Sequence, residues 1–316
     1  MIGRRAFLAT AALAALTAPR FGEALSSTSP RVPRVGVLGE VNPIPWMART
    51  PVVDIECRWA EAEGASLGDL ASRLLAHDVD VVVAIGTASA RAVIQHTTRV
   101  PTVAVVDGGL EEDAANASLA RSVDNITWLS VPSEAGMARQ RLAMLGRLVP
   151  HLRRVAVLFD PDTAASAHAV ARLHGGAPAP VDDIRSFPVR SVDDVERVLA
   201  RLTRDDVDGV VVMADTLFTG HTVRLTELTR AANLPTAYGA RGFVEAGGLL
   251  AVHGDTGDII RRTVMVVRRI LGGESPATVL PSRQAPHVAI NVSAAERLGL
   301  RVPSTVLARA DTLVTR

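Results

Sequence analysis

The stretch from Val79 to Val106 reads VDVVVAIGTASARAVIQHTTRVPTVAVV, and it decides the fold. Its first apolar run has no polar alternation, which is typical of a parallel strand covered on both faces. Gly86 and Thr87 follow that run and begin a helix, and Pro101 precedes a second apolar strand. A helix that starts at the carboxyl end of a parallel strand offers a position for binding a ligand.

Length and composition narrow the class of protein. The chain has 316 residues, which indicates two lobes of about 100 to 150 residues each. The net charge of +1, without a basic stripe, argues against nucleic acid as a partner. All 34 residues counted as lysine or arginine are arginine, so enzymes that depend on a lysine amine are excluded. Cys57 is the only cysteine, which excludes an internal disulfide and a cysteine metal cluster. We expect neither a metal nor a cofactor.

Residues 1–30 are predicted to be an export signal and a leader. Arg4 and Arg5 precede Ala6-Phe7-Leu8 and an apolar run from Ala9 to Leu16. That run is too short to span the hydrocarbon core of a bilayer, which is about 30 Å thick. The adjacent arginines resemble the twin-arginine motif, which directs export in the folded state. We therefore expect a soluble protein outside the cytoplasm, such as in the periplasm.

Beyond the leader, strands and helices alternate in two successive blocks. An extended connector over Asn125–Val131 separates the blocks. This order implies an α/β fold with two doubly wound parallel-sheet lobes, a hinge and an interlobe cleft. Outside the opening stretch, the predicted strands include 34–38, 52–57, 154–159, 184–189, 207–213 and 234–237. The predicted helices include 67–77, 133–148, 162–173, 192–202, 219–232 and 257–271.

Eight short motifs resemble the ABC transporter substrate-binding family that includes TrpX-like tryptophan-binding proteins. Each motif alone is unspecific, but all eight occur in order over nearly the whole chain after the leader. They are Arg58-Trp59-Ala60-Glu61, Ile85-Gly86-Thr87 with Ala90, Ser118-Leu119-Ala120-Arg121, Asn125-Ile126-Thr127, Arg154-Val155-Ala156-Val157-Leu158, Tyr238-Gly239, Phe243-Val244-Glu245-Ala246-Gly247-Gly248-Leu249 and Leu307-Ala308-Arg309-Ala310-Asp311.

The resemblance implies a type I periplasmic binding protein fold, in which two lobes close over a small ligand. By that analogy, lobe 1 comprises residues 31–124 and 248–283, and lobe 2 comprises residues 125–247 and 284–316. The hinge strands would lie near 125–130, 242–248 and 284–291. The resemblance also implies a non-enzymatic solute-binding protein whose partners are an ABC permease and its ATPase, with amino acids as one ligand class.

The candidate ligand site begins at the helix start of lobe 1. Gly86 allows close backbone approach, and Thr87, Ala88 and Ser89 present amide groups and hydroxyls where a carboxylate or phosphate would bind. The other interpretation is that Thr87 or Ser89 only caps its own helix, and both interpretations stay open. The remaining candidates are polar residues at strand ends or in the first hinge strand and the single tyrosine, namely Asp107, Asn125, Thr127, Asp160, Asp215 and Tyr238.

These candidates also have alternative roles. An acidic side chain after a strand, such as Asp160 or Asp215, either holds a ligand ammonium group or caps the next helix. The ring of Tyr238 either stacks on a ligand or forms part of the cleft wall.

Two departures from the family pattern support a second hypothesis. Residues 39–51 contain three prolines and leave no room for the helix that the family places there, so Glu40, Asn42 or Trp46 would have to replace its ligand contacts. Trp128 stands where the family has a small residue. An orphan sensor or partner-binding module, with Trp46 or Trp128 filling the cleft, is therefore the alternative to transport.

Two further motifs suggest other chemistry. Asp160-Pro161-Asp162-Thr163 follows a strand and resembles phosphatases of the haloacid dehalogenase type, but the lysine that those enzymes need is missing. Asp255 and Asp258 have the spacing of no known metal motif, and capping of the following helix is the preferred interpretation.

Overall fold

The computed structural model describes residues 31–39, 54–59, 64–108, 124–279 and 282–315, with the backbone alone at 54–59 and 282–283. Every strand and helix in these ranges belongs to one compact unit, Pro33–Arg316. The export leader expected over residues 1–30 and the proline-containing segment with Glu40, Asn42 and Trp46 lie outside the described residues.

Strands and helices alternate along most of the chain, as the sequence predicts. The strands are β1 Arg34–Gly39, β2 Asp54–Trp59, β3 Val81–Ile85, β4 Thr102–Asp107, β5 Ile126–Val131, β6 Arg154–Phe159, β7 Asp183–Pro188, β8 Gly209–Val212, β9 Thr236–Tyr238, β10 Leu250–His253, β11 Ser282–Arg283, β12 His287–Asn291 and β13 Thr312–Val314. The helices are α1 Leu67–Leu75, α2 Thr87–His96, α3 Glu134–Leu148, α4 Ala164–His174, α5 Val192–Leu199, α6 Thr216–Thr219, α7 Thr222–Ala231, α8 Gly242–Glu245, α9 Thr256–Leu271, α10 Val292–Arg297 and α11 Ser304–Leu307, with a 3-10 turn at Pro276–Thr278.

The first sheet has six parallel strands in the order β11-β5-β4-β3-β1-β2. Alternate residues of β3 point to opposite faces. Val82 and Ala84 belong to the core under α1 and α2, whereas Val81 and Val83 belong to the core under α9. Because both faces are covered, every residue of the strand is apolar, which confirms the interpretation of the opening stretch.

The second sheet has seven strands in the order β13-β12-β10-β9-β8-β6-β7. All its pairs are parallel except β10 with β12. Helix α3 packs on β8, β9 and β10, and the buried residues of this half form one core. The two sheets with their helices confirm the predicted α/β class of two doubly wound parallel sheets.

The chain crosses between the sheets at three short segments. Pro132 and Ser133 lead from β5 to α3, Gly254 and Asp255 lead from β10 to α9, and residues 284–286 lead from β11 to β12. Since β5 runs parallel to both its neighbours, β10 runs parallel to β9, and both strands end at crossings, both sheets present the carboxyl ends of their parallel strands on the crossing side. This is the edge at which open α/β sheets bind ligands.

Two strands, β5 and β10, belong to the opposite lobe from the one expected. The expected lobe 2 begins at residue 125, yet β5 is hydrogen-bonded to β4 in the first sheet. The expected lobe 1 resumes at residue 248, yet β10 is hydrogen-bonded to β9 and β12 in the second sheet. The first two crossings therefore occur at the carboxyl ends of β5 and β10 rather than before these strands.

Candidate functional site

The start of helix α2 is the main polar feature at the carboxyl edge of the first sheet. Gly86 has a φ of +95°, which a side chain would strain, and its amide donates to the Val105 carbonyl at 2.8 Å. No side chain of the described residues caps the helix. The Ser89 hydroxyl makes no described hydrogen bond, so Ser89 does not cap its own helix, whereas for Thr87 both interpretations stay predictions. The first-turn amides lie at the end of the sheet, at the positive end of the helix dipole.

Ser89, in the first turn of α2, is fully buried, and its hydroxyl oxygen makes no hydrogen bond within the described part of the chain. A buried hydroxyl without a partner costs about 1–3 kcal/mol relative to a satisfied one. Native structures keep few such groups, and a ligand is one way to satisfy them. Ala88, next to it, is exposed.

Strand β4 ends beside this helix start. Asp107 is exposed at the last position of the strand, and Gly108 continues the ladder by donating to the Val131 carbonyl at 2.8 Å. Since β3 and β4 are neighbours, Asp107 and the Gly86–Ser89 segment lie at the same edge. The structure thus brings together the lobe 1 candidates that follow strands.

In the second sheet, the carboxylate of Asp215 is bonded within its own lobe. One oxygen accepts from the Leu217 amide at 2.9 Å and caps α6, and the other faces the Ser166 hydroxyl at 3.5 Å. Asp215 is buried. It therefore joins the turn after β8 to helix α4, and of its two predicted roles the structure gives it the capping one.

Asp160 follows β6, the neighbour of β8, so it lies near Asp215 at the same edge. One of its carboxylate oxygens accepts from the Asp162 amide at 2.9 Å. Its other oxygen has no protein partner among the described residues, and the side chain is half-buried. The carboxylate of Asp162 instead binds Arg190, with its oxygen 2.9 Å from the guanidinium Nε. The two carboxylates therefore do not converge as a phosphatase would require.

Glu134 and Arg141 form a buried ion pair that sequence analysis did not single out. Both guanidinium Nη atoms donate to the Glu134 carboxylate, at 2.5 and 3.1 Å, and Arg141 Nε donates to the Val252 carbonyl at 3.0 Å. The Ala214 amide, next to Asp215, donates to the same carboxylate at 2.9 Å. The pair thus fixes α3 to the carboxyl ends of β8 and β10. The only sign of this pair in the sequence is the i, i+7 spacing of Glu134 and Arg141, which places both residues on one face of the helix.

Gln284 ties the three crossings together. Its amide N–H donates to the Ser130 carbonyl at 2.9 Å, just before the first crossing, and its side chain donates to the Asp255 carbonyl at 2.8 Å in the second. Gln284 itself begins the third crossing and is buried. Nearby, the rings of His253 and His287 stack at 5.9 Å, and burial lowers the pKa of His253.

Two predicted ligand residues lie away from this edge. Asn125 precedes the amino end of β5, where its side chain donates to the Val100 carbonyl at 2.8 Å. Thr127 donates its hydroxyl to the Val279 carbonyl at 3.0 Å and is buried. At a rise of about 3.3 Å per residue, Asn125 is about 20 Å from the carboxyl end of its strand. Both side chains hold the first lobe together.

Tyr238 also does not face the crossing edge. It is the last residue of β9, not a residue after the strand, and its ring is 1% exposed and stacked on Phe243 at 4.6 Å. Its hydroxyl lies 2.5 Å from that of Thr229. The ring fits because Gly248 lacks a side chain, since a Cβ there would lie 2.6 Å from the ring. The Tyr238 ring therefore cannot stack on a ligand at the crossing edge.

Other candidate features are structural. Asp255 caps α9 by accepting from the Asp258 amide at 3.0 Å, as preferred from the sequence, and this bond lowers its pKa. In the described ranges no group of three or more His, Cys, Asp or Glu side chains is placed to hold a metal ion. No described helix combines the length and the apolar character needed to cross a membrane.

Two parallel sheets, joined by three crossings and bearing polar helix starts on the crossing side, define a two-lobed binding protein. A family model of ABC transporter substrate-binding proteins matches residues 50–314. The chain belongs to this family of small-molecule-binding proteins, which are components of ABC transporters and not enzymes. A comparison with curated protein sequences finds no significant match.

Solved structures share the fold over most of the chain. A conserved domain protein from Vibrio cholerae is 21% identical with a TM-score of 0.59, covering 90% of this chain and 100% of that one. An ABC domain from Streptococcus pneumonia in complex with L-Trp is 20% identical, with a TM-score of 0.58 and coverage of 89% and 99%. A ligand-free, open substrate-binding protein with adhesive properties from Clostridium difficile is 18% identical, with a TM-score of 0.61 and coverage of 90% and 100%. These likenesses confirm the type I periplasmic-binding-like fold.

Proposed function

We propose that this protein is the extracytoplasmic solute-binding component of an ABC uptake transporter and that it binds a small carboxylate-bearing solute at the crossing edge of its two sheets. The observation that carries the proposal is the start of α2, where the Ser89 hydroxyl in the first turn is buried and has no described partner. Amide groups at such a helix start bind anions, and a carboxylate would supply the acceptor that the hydroxyl lacks.

Amino acids are the first ligand class to test. Asp160, in the second lobe, keeps one carboxylate oxygen without a protein partner in the described ranges, and that oxygen would accept from an ammonium group. A carboxylate at α2 and an ammonium group at Asp160 would give the solute one contact in each lobe. A ligand that binds both lobes only when they approach each other favours the closed state, which is how a permease would distinguish loaded from empty protein.

The described position of Trp128 supports transport over the orphan alternative. Its side chain is 3% exposed and lies in the core under α1 and α2, packed with residues of β3 and β4. It therefore does not fill the crossing edge. Trp46, the second residue that would plug a cleft, lies outside the described residues, as does most of the proline-containing segment 39–51, so these two grounds for the orphan hypothesis stay untested.

A thermal-shift screen tests the proposal. The purified protein is heated with each amino acid, with the matching amine that lacks the carboxylate, and with the matching acid that lacks the amino group. A true ligand at 100 times its dissociation constant adds about 2.7 kcal/mol to the free energy of unfolding. We expect stabilisation by at least one carboxylate and none by its amine. No shift with any carboxylate would sink the proposal.

We also propose that residues 1–30 direct twin-arginine export. Replacing both Arg4 and Arg5 by lysine preserves charge but removes the paired guanidinium groups. The exported fraction of the protein should then fall strongly in a fractionation assay, and an unchanged fraction would argue against this route.

A further inference from the structure

The second sheet carries a pocket at the opposite end of its strands from the crossing edge. The pocket has a volume of about 230 Å³ and opens between α7 and α10, over the amino ends of β9 and β10. Leu234 and Leu249, which precede these strands, are among its lining residues. It is therefore separate from the edge at which we place the transported solute.

The floor of this pocket combines the apolar groups of Leu234, Tyr238 and Leu249 with the buried threonines Thr226, Thr229 and Thr236. The Tyr238 ring forms part of it and is held between Phe243 and the bare backbone of Gly248. The tyrosine hydroxyl is bonded to Thr229, another lining residue, and burial raises the pKa of Tyr238 to about 12. The phenol is consequently neutral at physiological pH and adds no negative charge.

The rim of the pocket is cationic. Arg230 and Arg297 are both exposed lining residues. The guanidinium of Arg230 makes no hydrogen bond or ion pair with any other described residue, and Arg297 donates only to the Gly247 carbonyl, at 3.1 Å. Neither Asp nor Glu is among the described residues that line the pocket. Two arginines thus stand over a partly apolar floor, and the described lining supplies no compensating carboxylate.

We propose that this pocket is a second ligand site, which takes a small organic acid with one carboxylate on a flat apolar body. The planar guanidinium fork matches a carboxylate with two parallel hydrogen bonds. The apolar part of the floor, formed by Leu234, Tyr238 and Leu249, accepts a ring, since a cavity of about 150 Å³ suffices for benzene. The site goes beyond the proposed transport function, because it lies away from the crossing edge and does not depend on closure of the lobes.

The single tyrosine of the chain gives this proposal a direct readout. Protein labelled with 3-fluorotyrosine has one fluorine resonance, at the pocket floor, and benzoate is the probe, with neutral benzamide for comparison. We expect a saturable shift of the resonance with benzoate and none with benzamide. Arg230→Gln and Arg297→Gln should each weaken benzoate binding by about tenfold or more. Arg224→Gln, on the same helix and ion-paired with Glu196 outside the pocket, is the matched control and should bind normally.

Other outcomes contradict the proposal. The absence of a saturable shift, or equal affinity in the two arginine variants and the control, would overturn it. A shift that Ser89→Ala abolishes and the arginine variants retain would place benzoate at the crossing edge and also overturn it. If the label perturbs folding, calorimetric titration of the unlabelled variants gives the same comparison. Failure here leaves the transport proposal intact, because that proposal rests on the thermal-shift screen.

Discussion

The two crossing-side edges use their polar groups differently. At the end of β3, helix α2 begins without a described side-chain cap and with a buried hydroxyl that has no described partner. At the ends of β8 and β10, in contrast, Asp215 caps a helix and Glu134 binds both Arg141 and the Ala214 amide. Among the described residues, the first edge therefore leaves the Ser89 hydroxyl without a partner, whereas the second uses Asp215 and Glu134 for hydrogen bonds within its own lobe. Similar residues after a parallel strand can serve binding or architecture, and only their partners distinguish the two.

The largest effect is expected when the buried ion pair of the second lobe is removed, which tests whether the polar groups of that edge stabilise the fold. Arg141→Met leaves the Glu134 carboxylate buried with only the Ala214 amide as a strong partner. We expect the free energy of unfolding to fall by about 3–5 kcal/mol, as is typical when one member of a buried pair is removed. Chemical denaturation measures the loss. Arg147→Met, exposed on the same helix, should change little, and equal effects would show that the pair is not structural.

Asp215→Ala tests whether this carboxylate acts as a cap. The variant loses the bond to the Leu217 amide and the contact with Ser166, so we expect about 1–2 kcal/mol of destabilisation. Asp193→Ala, exposed in the first turn of α5 but not its cap, is the control for losing one acidic residue. If Asp215→Ala weakened ligand binding strongly but left the free energy of unfolding nearly unchanged, Asp215 would be a ligand-binding residue rather than only a cap.

Gln284→Ala loosens the point where the three crossings meet. The variant loses the side-chain bond to the Asp255 carbonyl but keeps its own amide bond to Ser130, so about 1 kcal/mol of stability should be lost. The spread of lobe orientations should also widen, which small-angle scattering of ligand-free protein would detect. Gln140→Ala, exposed on α3, should change neither quantity. An unchanged scattering profile in Gln284→Ala would show that the Gln284 side chain does not restrict the orientation of the lobes.

The smallest expected effect is a pH dependence from His253. Burial lowers its folded-state pKa below the ordinary value, so the unfolded state binds a proton more readily. Stability from this group is therefore full above the unfolded pKa of about 6.5 and is lost as pH falls through the folded value. Unfolding curves from pH 7 to pH 5 should show a smaller decline in His253→Gln than in the parent protein. An identical decline in both proteins would contradict this assignment.

The strand and helix pattern was predictable because it follows from local periodicity. In Val79–Val106 the continuous apolar run itself indicates a strand covered on both faces, and Gly86 ends that run where helix α2 begins. The position of Tyr238 was not predictable in this way. Its burial depends on Gly248, which comes ten residues later, and on Thr229 of a preceding helix. The roles of Gln284 and Arg141 likewise depend on partners distant in sequence, which no local pattern reveals.

The affinity of the Ser89→Ala variant for a carboxylate found in the screen tests the central claim most directly. The variant removes only a hydroxyl that has no described protein partner, so its stability should be unchanged or slightly higher. We predict that its dissociation constant rises by about fivefold or more, as expected for one lost hydrogen bond, while Ser72→Ala, exposed on α1, binds like the parent. Equal affinity of Ser89→Ala and the parent would show that the α2 start does not hold the ligand.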